Sequence, residues 1–192
     1  KIRLLEGRKV SSTEVVRRLS LKRRMQLTGT RMIGITGSGA KSTTSALLFH
    51  LLSGSRRTAL SFHENALDDM AMRMARFPKN INFGVFEISG HEPGAIDQAC
   101  EVVQPDVAII TIVGGDHRTN FAGGLEIAQE KGTLAQRVAE RAGIVLLNAD
   151  DPLVRGMQAR AAGKALLYGE APDADYRAIE VRHSRDGYLQ FT

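Results

Sequence analysis

The residues with the clearest capacity for chemistry are a lysine and a serine closing a loop of small residues. The loop Thr36-Gly37-Ser38-Gly39-Ala40-Lys41-Ser42-Thr43 follows an apolar run containing Ile33 and Ile35. It precedes a helical pattern with Leu47, Leu48, Leu51 and Leu52. Small residues let backbone N–H groups approach oxyanions, and a helix start adds the positive end of its dipole. In such a cradle Lys41 can reach terminal phosphates and Ser42 can ligate Mg²⁺. The usual loop of this kind has glycine directly before the lysine, where this chain has Ala40. If that position requires positive φ, the methyl group costs about 1 kcal/mol or more. The competing reading is an ordinary Gly/Ser turn capped by Ser42.

Three further side chains stand out. Glu87 lies at the mouth of an apolar stretch. A carboxylate there suits Mg²⁺, which takes one or two carboxylates together with phosphate oxygens and water; an acid paired with a neighbouring base is the alternative. His117 follows Gly114-Gly115-Asp116 and can ligate a second cation or orient a substrate group, or simply occupy a surface loop. Lys131 shares one helical face with Ile127, Leu134 and Val138. Burial disfavours an ammonium, and a neutral amine can add CO₂ to become a carbamate, an anionic metal ligand. Snorkelling, or a salt bridge to Glu130 or Asp116, would also account for it.

The elements that must position these residues alternate. Ser11 or Ser12 can cap a helix through Val15, Val16, Leu19 and Leu21. Strand-like runs cover 32–36, 58–62, 83–88, 107–113, 144–147 and 165–168. Between them fall helical patterns over 42–53, ending at Gly54, and over 66–76, with Met70, Met72 and Met74 as a core-packing face. Further helices are expected from Pro93 to Val103, over 124–141 and over 152–162. Residues 178–183 and 188–191 read as a hairpin around Arg185-Asp186-Gly187. The expected fold is α/β, a mostly parallel sheet with helices on both faces. Ligands bind such sheets outside the carboxyl ends of the strands. Lys41-Ser42, Glu87, Asp116-His117 and the group Asn148, Asp150, Asp151 all fall at that edge.

The chain has 192 residues, 43% hydrophobic and 24% charged, which fits a single soluble domain with a real core. No apolar run approaches the roughly 18 residues of a membrane span, no signal-peptide pattern is visible, and there is no initiator methionine, so a longer natural chain is expected. Its one cysteine, Cys100, excludes an internal disulfide and reads as a buried structural thiol. A cytoplasmic location follows. The net charge of +5 is concentrated in residues 1–31, a basic arm ahead of the domain at 32–192. Such an arm can meet nucleic acid, acidic lipid or a polyanionic substrate, or be a solvated helix and linker. It holds no aromatic residue for base stacking, which argues against nucleic acid.

The loop Gly34-Ile35-Thr36-Gly37-Ser38-Gly39-Ala40-Lys41-Ser42-Thr43-Thr44 resembles the ATP loop of the Mur ligases. Phe86-Glu87-Ile88-Ser89-Gly90 with Glu92-Pro93-Gly94-Ala95-Ile96 is similar to their second motif. Pro105-Asp106-Val107-Ala108-Ile109-Ile110-Thr111, Asp116-His117, Glu126-Ile127-Ala128 and Lys131-Gly132 are similar to their third, and Asn148-Ala149-Asp150-Asp151-Pro152 to the element after it. The pattern is nearest the branch of UDP-N-acetylmuramoyl-tripeptide–D-alanyl-D-alanine ligases; folylpolyglutamate, poly-γ-glutamate and cyanophycin synthetases share the architecture. The resemblance, over about residues 32–175, implies a P-loop-type central domain and ATP-dependent amide formation. In that reaction a substrate carboxylate takes the γ-phosphoryl group, and an amine displaces phosphate from the acyl phosphate. It implies phosphate binding by the loop and Lys41, Mg²⁺ on Ser42 and Glu87, and a second Mg²⁺ on His117 and carbamylated Lys131. It also implies flanking domains or a partner chain to hold the carboxylate acceptor and amine donor, since the nucleotide-sugar, adenine-contacting and amino-acid-binding parts of the family lie outside these motifs. Two departures are Ala40 and Thr111-Ile112, where the family has Thr-Asn. A non-catalytic scaffold with a degenerate loop is the other reading consistent with them. A nucleotide switch or kinase finds no second motif.

Overall fold

The computed structural model describes residues 12–61, 67–114, 120–162, 164–183 and 189–192. Apolar, β-branched runs form the strands β1 (Arg31–Thr36), β2 (Thr58–Ser61), β3 (Phe83–Glu87), β4 (Val107–Ile110), β5 (Ile144–Asn148), β6 (Ala165–Gly169) and β7 (Tyr176–Arg177). They make one seven-stranded sheet in the order β2-β3-β1-β4-β5-β6-β7, every pairing parallel. Strands buried on both faces read as continuous hydrophobic runs, as β1 and β3 do. The chain leaves β1 toward β2 on one side and later crosses to β4 on the other. The direction of winding therefore reverses beside β1, and the crevice for a ligand opens there.

The helices are α1 (Ser12–Gln26), α2 (Lys41–Ser53), α3 (Leu67–Arg76), α4 (Ala95–Val103), α5 (Gly124–Glu140) and α6 (Pro152–Arg155). On one face of the sheet, Leu48 and Leu52 of α2 pack on Ile33, Ile35, Val85 and Val107. On the other, Met70, Met74, Ile96, Val103, Leu134, Val138 and Val154 join Met32, Phe86 and Ile110 in the main core. Cys100 is buried there, and desolvation pushes its thiol up to about 12, so it is an inert packing group.

The basic first segment packs onto α3 and α4 through α1. Arg24 is buried and donates to the carbonyls of Val103 and Gln104, at the end of α4, and to Asp106 at 3.1 Å. Arg17 pairs with Glu101 of α4. Ser20 of α1 and Leu27 just after it are buried.

Several boundaries differ from the sequence reading. The β-branched run 107–113 stops pairing as a strand at Ile110, because Val113 N–H turns to Asp151 and the Ile112 carbonyl to Ser38. Pro93 lies in a turn ahead of α4, which starts at Ala95 after Gly94 at φ 83°. The expected helix 152–162 is one α-turn followed by a 3₁₀ segment, Gly156–Ala161. Met70 and Met74, four residues apart, face the core, whereas Met72 is exposed on the opposite side of the helix. The two-residue strand β7 was not anticipated. The hairpin is β8 (Arg182–His183) against β9 (Leu189–Gln190), antiparallel and extended by mutual Ile179–Thr192 bonds of 2.8 and 2.9 Å. Its turn, 184–188, is outside the described residues.

Candidate functional site

The end of β1 runs directly into the lysine loop. Gly37 is required there by close approach: a Cβ would stand 1.9 Å from Thr111 Oγ1. The Thr111 hydroxyl instead donates to the Gly39 carbonyl at 2.6 Å, and Ser38 N–H donates to the Ile112 carbonyl at 2.7 Å. The segment after β4 therefore fixes the loop's path. Ala40 adopts φ 61°, ψ 1°, the left-handed conformation that makes its methyl strained. As the N-cap of α2 it provides no side-chain hydrogen bond. The first-turn N–H groups of α2 thus lack a side-chain cap and lie under the positive end of the helix dipole. Lys41 folds back over the loop, donating to the Gly37 carbonyl at 2.8 Å. Thr36 Oγ1 is buried with no hydrogen-bond partner among the described residues.

Glu87, only 6% exposed, ends β3 beside this loop. Its carboxylate accepts from Ser42 Oγ at 3.0 Å and from Ser45 Oγ at 3.0 Å. Among the described residues its partners are these two hydroxyls, and it forms no ion pair there. Ser45 was missed in the sequence; its place three residues after Ser42, on the same face of a helix, was the available signal. Thr111 was read as part of a strand and of the third motif, without its bond to the loop.

Lys131 is 1% exposed in α5, with Ile127, Leu134 and Val138 buried along the same stripe. Its neighbour Glu130, 9% exposed, accepts from Gly94 N–H at 2.9 Å and Ile96 N–H at 2.8 Å. Glu130 therefore caps α4 and ties α5 to the segment that follows Glu87. Asp116 and His117 fall outside the described residues.

The polar group after β5 has another task. Asp151 accepts from Val113, Leu153 and Val154 N–H, capping α6. Asp150 accepts from Glu170 and Ala171 N–H, and Asn148 from Asp150 N–H. These side chains hold loops together. The same edge is braced by Tyr168, whose hydroxyl donates to the Ile110 carbonyl at 3.0 Å and is pushed up to about 12, first by burial and then by nearby Asp150.

The arrangement can do one thing well. It offers an anion a set of loop and helix amides and an ammonium, and sets a hydroxyl and a carboxylate beside them. Among the described residues no cluster of three or more His, Cys, Asp or Glu could hold a metal by itself. Ser42 and Glu87 suit an ion such as Mg²⁺ that completes its shell with phosphate oxygens and water.

Comparison with known proteins gives the family and the fold. Residues 35–192 match the family model of the Mur ligase middle domain. The chain is 28% identical over 166 residues to the UDP-N-acetylmuramoyl-tripeptide--D-alanyl-D-alanine ligase of Bacillus subtilis, covering 85% of this chain and 35% of that protein. Its fold matches crystal structure I of MurF from Acinetobacter baumannii with a TM-score of 0.83 and 24% identity, over 95% of this chain and 42% of that one. It also matches MurF ligase from Thermotoga maritima, solved in complex with ADP, with a TM-score of 0.78 and 21% identity over 96% and 43% of the two chains. The segment thus spans about a third of the curated relative's length.

Proposed function

The chain belongs to the Mur ligase middle-domain family, and on that premise we propose that it is the nucleotide-binding centre of an ATP-dependent ligase that joins a carboxylate to an amine. The observation that carries this reading is the direct Ser42–Glu87 hydrogen bond beside the uncapped start of α2. That bond brings together a hydroxyl and a carboxylate, donors that suit Mg²⁺. Lys41 and the α2 amides bind the phosphates and orient the terminal one. Ser42 and Glu87 would hold Mg²⁺, and Ser45 bonds the second oxygen of Glu87. Mg²⁺, when bound, supplies neutralisation of phosphate charge as the acceptor carboxylate becomes an acyl phosphate and the amine then displaces phosphate.

His117 and a carbamylated Lys131 are assigned to a second divalent ion. Burial of Lys131 on an apolar stripe supports that assignment. Intact mass in bicarbonate buffer tests it: an added carbamate on the wild type, absent from Lys131→Arg, is expected, and an unmodified chain removes this part of the reading. Flanking domains or a partner chain supply the acceptor and amine sites, and the protein works in the cytoplasm. No described helix is long and apolar enough to cross a membrane.

Calorimetry with ATP·Mg²⁺ decides the main point. Binding that weakens when Mg²⁺ is omitted is expected; absence of binding at millimolar nucleotide would leave the scaffold reading, which the left-handed Ala40 favours.

A further inference from the structure

The amino edge of the sheet, opposite the phosphate loop, carries a row of cations. Arg57 precedes β2, Lys79 lies in the segment entering β3, Arg31 opens β1, Arg141 precedes β5 and Lys164 precedes β6; Arg56 stands beside Arg57. The strand register sets several of them level. Arg31 and Thr58 both pair with Phe83, Ile33 and Ile144 both pair with Val107, and Val145 pairs with Ala165. From β2 to β6 is five strand spacings, so the row is about 24 Å long. All six side chains belong to exposed residues.

Five arginines elsewhere meet acids, Arg17 with Glu101, Arg18 with Glu14, Arg24 with Asp106, Arg137 with Asp97 and Arg155 with Asp173, whereas Arg23, Arg160 and Arg177 donate to backbone carbonyls. None of the six edge cations makes an ion pair among the described residues. The acids beside them are engaged, Asp106 by Arg24 and Met32 N–H, and Glu140 by Arg137. Two open clefts lie along the row. One of about 660 Å³ is lined by Arg56, Arg57 and Asn82, and one of about 480 Å³ by Arg31, Arg141 and Thr28. Cations near helix ends complement the helix dipole. That accounts for Arg141, the C-cap of α5, but not for Arg31 at the start of a strand or Lys79 in a loop.

A large apolar side chain stands among the cations: Ile144 is 41% exposed in the same cleft as Arg31 and Arg141. No aromatic ring stands among them to stack on a base. Exposed cations along one edge, with an apolar side chain among them, match a surface of anionic headgroups over hydrocarbon. We infer that this edge docks the protein on an anionic lipid surface. The docked edge faces away from the phosphate loop, which stays open to substrates.

The test is co-sedimentation of the full chain with phosphatidylcholine vesicles, with and without roughly a third phosphatidylglycerol, at low and at several-fold higher salt. Partition into anionic vesicles at low salt is expected, lost with neutral vesicles and reduced at higher salt. The variant Arg31→Glu/Arg57→Glu/Arg141→Glu should lose partition by about tenfold or more. Arg18→Glu/Arg155→Glu/Arg177→Glu changes net charge equally away from the edge and should retain most of it. Thermal melts establish that both variants fold, and Lys79→Glu/Lys164→Glu, in solvent-facing positions, gives a second reading of the edge. Equal loss in the two triple variants, no partition into anionic vesicles, or displacement from vesicles by equimolar duplex DNA through the same edge overturns the inference.

Discussion

Helices α2 and α6 both start at the carboxyl edge of the sheet, one after β1 and one after β5, yet their first amides meet opposite conditions. At α6, Asp151 occupies the N-cap with extended backbone, φ −104°, and accepts from two first-turn N–H groups and from Val113. At α4, on the same edge, Glu130 reaches across from α5 to do the same for Gly94 and Ile96. At α2 the N-cap is an alanine held left-handed, with no side chain accepting. A helix start that the protein itself satisfies is structural. One left open beside a lysine, under a serine–glutamate pair, is where an outside anion fits. The contrast supports the proposed phosphate site more sharply than a count of polar residues at the edge.

If that contrast is right, changes at the two kinds of helix start separate cleanly. The largest effect belongs to Lys41→Met. Loss of a charge-assisted contact to phosphate should weaken ATP·Mg²⁺ binding by about 2–4 kcal/mol, some 30- to 1000-fold, while the denaturant midpoint barely moves. Unchanged affinity in calorimetry would erase the distinction. Next come Glu130→Ala and Asp151→Ala. Each strands two or three backbone N–H groups, and about 2–3 kcal/mol of stability should be lost in urea unfolding. Nucleotide affinity of the folded protein should stay within a few-fold of wild type. A loss of affinity as deep as that of Lys41→Met would show that these caps belong to the ligand site after all.

Thr111→Val probes the link between the regions. Its hydroxyl holds the Gly39 carbonyl, so removing it should cost about 1 kcal/mol of stability and loosen the loop, weakening nucleotide several-fold. A stability loss with intact affinity would mean that the loop keeps its path without that bond.

The sequence made much of this legible for a physical reason. Strand β1, the loop and α2 are contiguous, and local periodicity with small residues specifies them; Glu87 was visible as an acid ending a buried run. The caps were not legible. Asp151 and Asn148 have the same residue types as a ligand cluster, and only the fold reveals that their lone pairs meet N–H groups of Val113, Leu153, Val154 and Asp150. Glu130 finds its donors more than thirty residues away, at separations of 36 and 34, which no periodicity encodes. The strand β7 is two residues long, below any repeat length, and Met72 was placed with Met70 and Met74 by composition although two-residue spacing puts it on another helical face.

Ala40→Gly is the finest test, because two effects oppose each other at one methyl group. In the folded chain, alanine at φ 61° carries about 1–2 kcal/mol of steric cost that glycine does not. In the unfolded chain, glycine has more conformations to lose, which costs about 0.4–1 kcal/mol on folding. The net should be a gain of roughly 0.5–1 kcal/mol, read as a small rise in urea midpoint with unchanged slope. Binding gives the second reading. If the methyl stands where a phosphate oxygen approaches the loop amides, nucleotide should bind several-fold more tightly than the stability gain alone requires. If affinity is unchanged while stability rises, the alanine is only a strained cap, and the site already accepts its ligand around it.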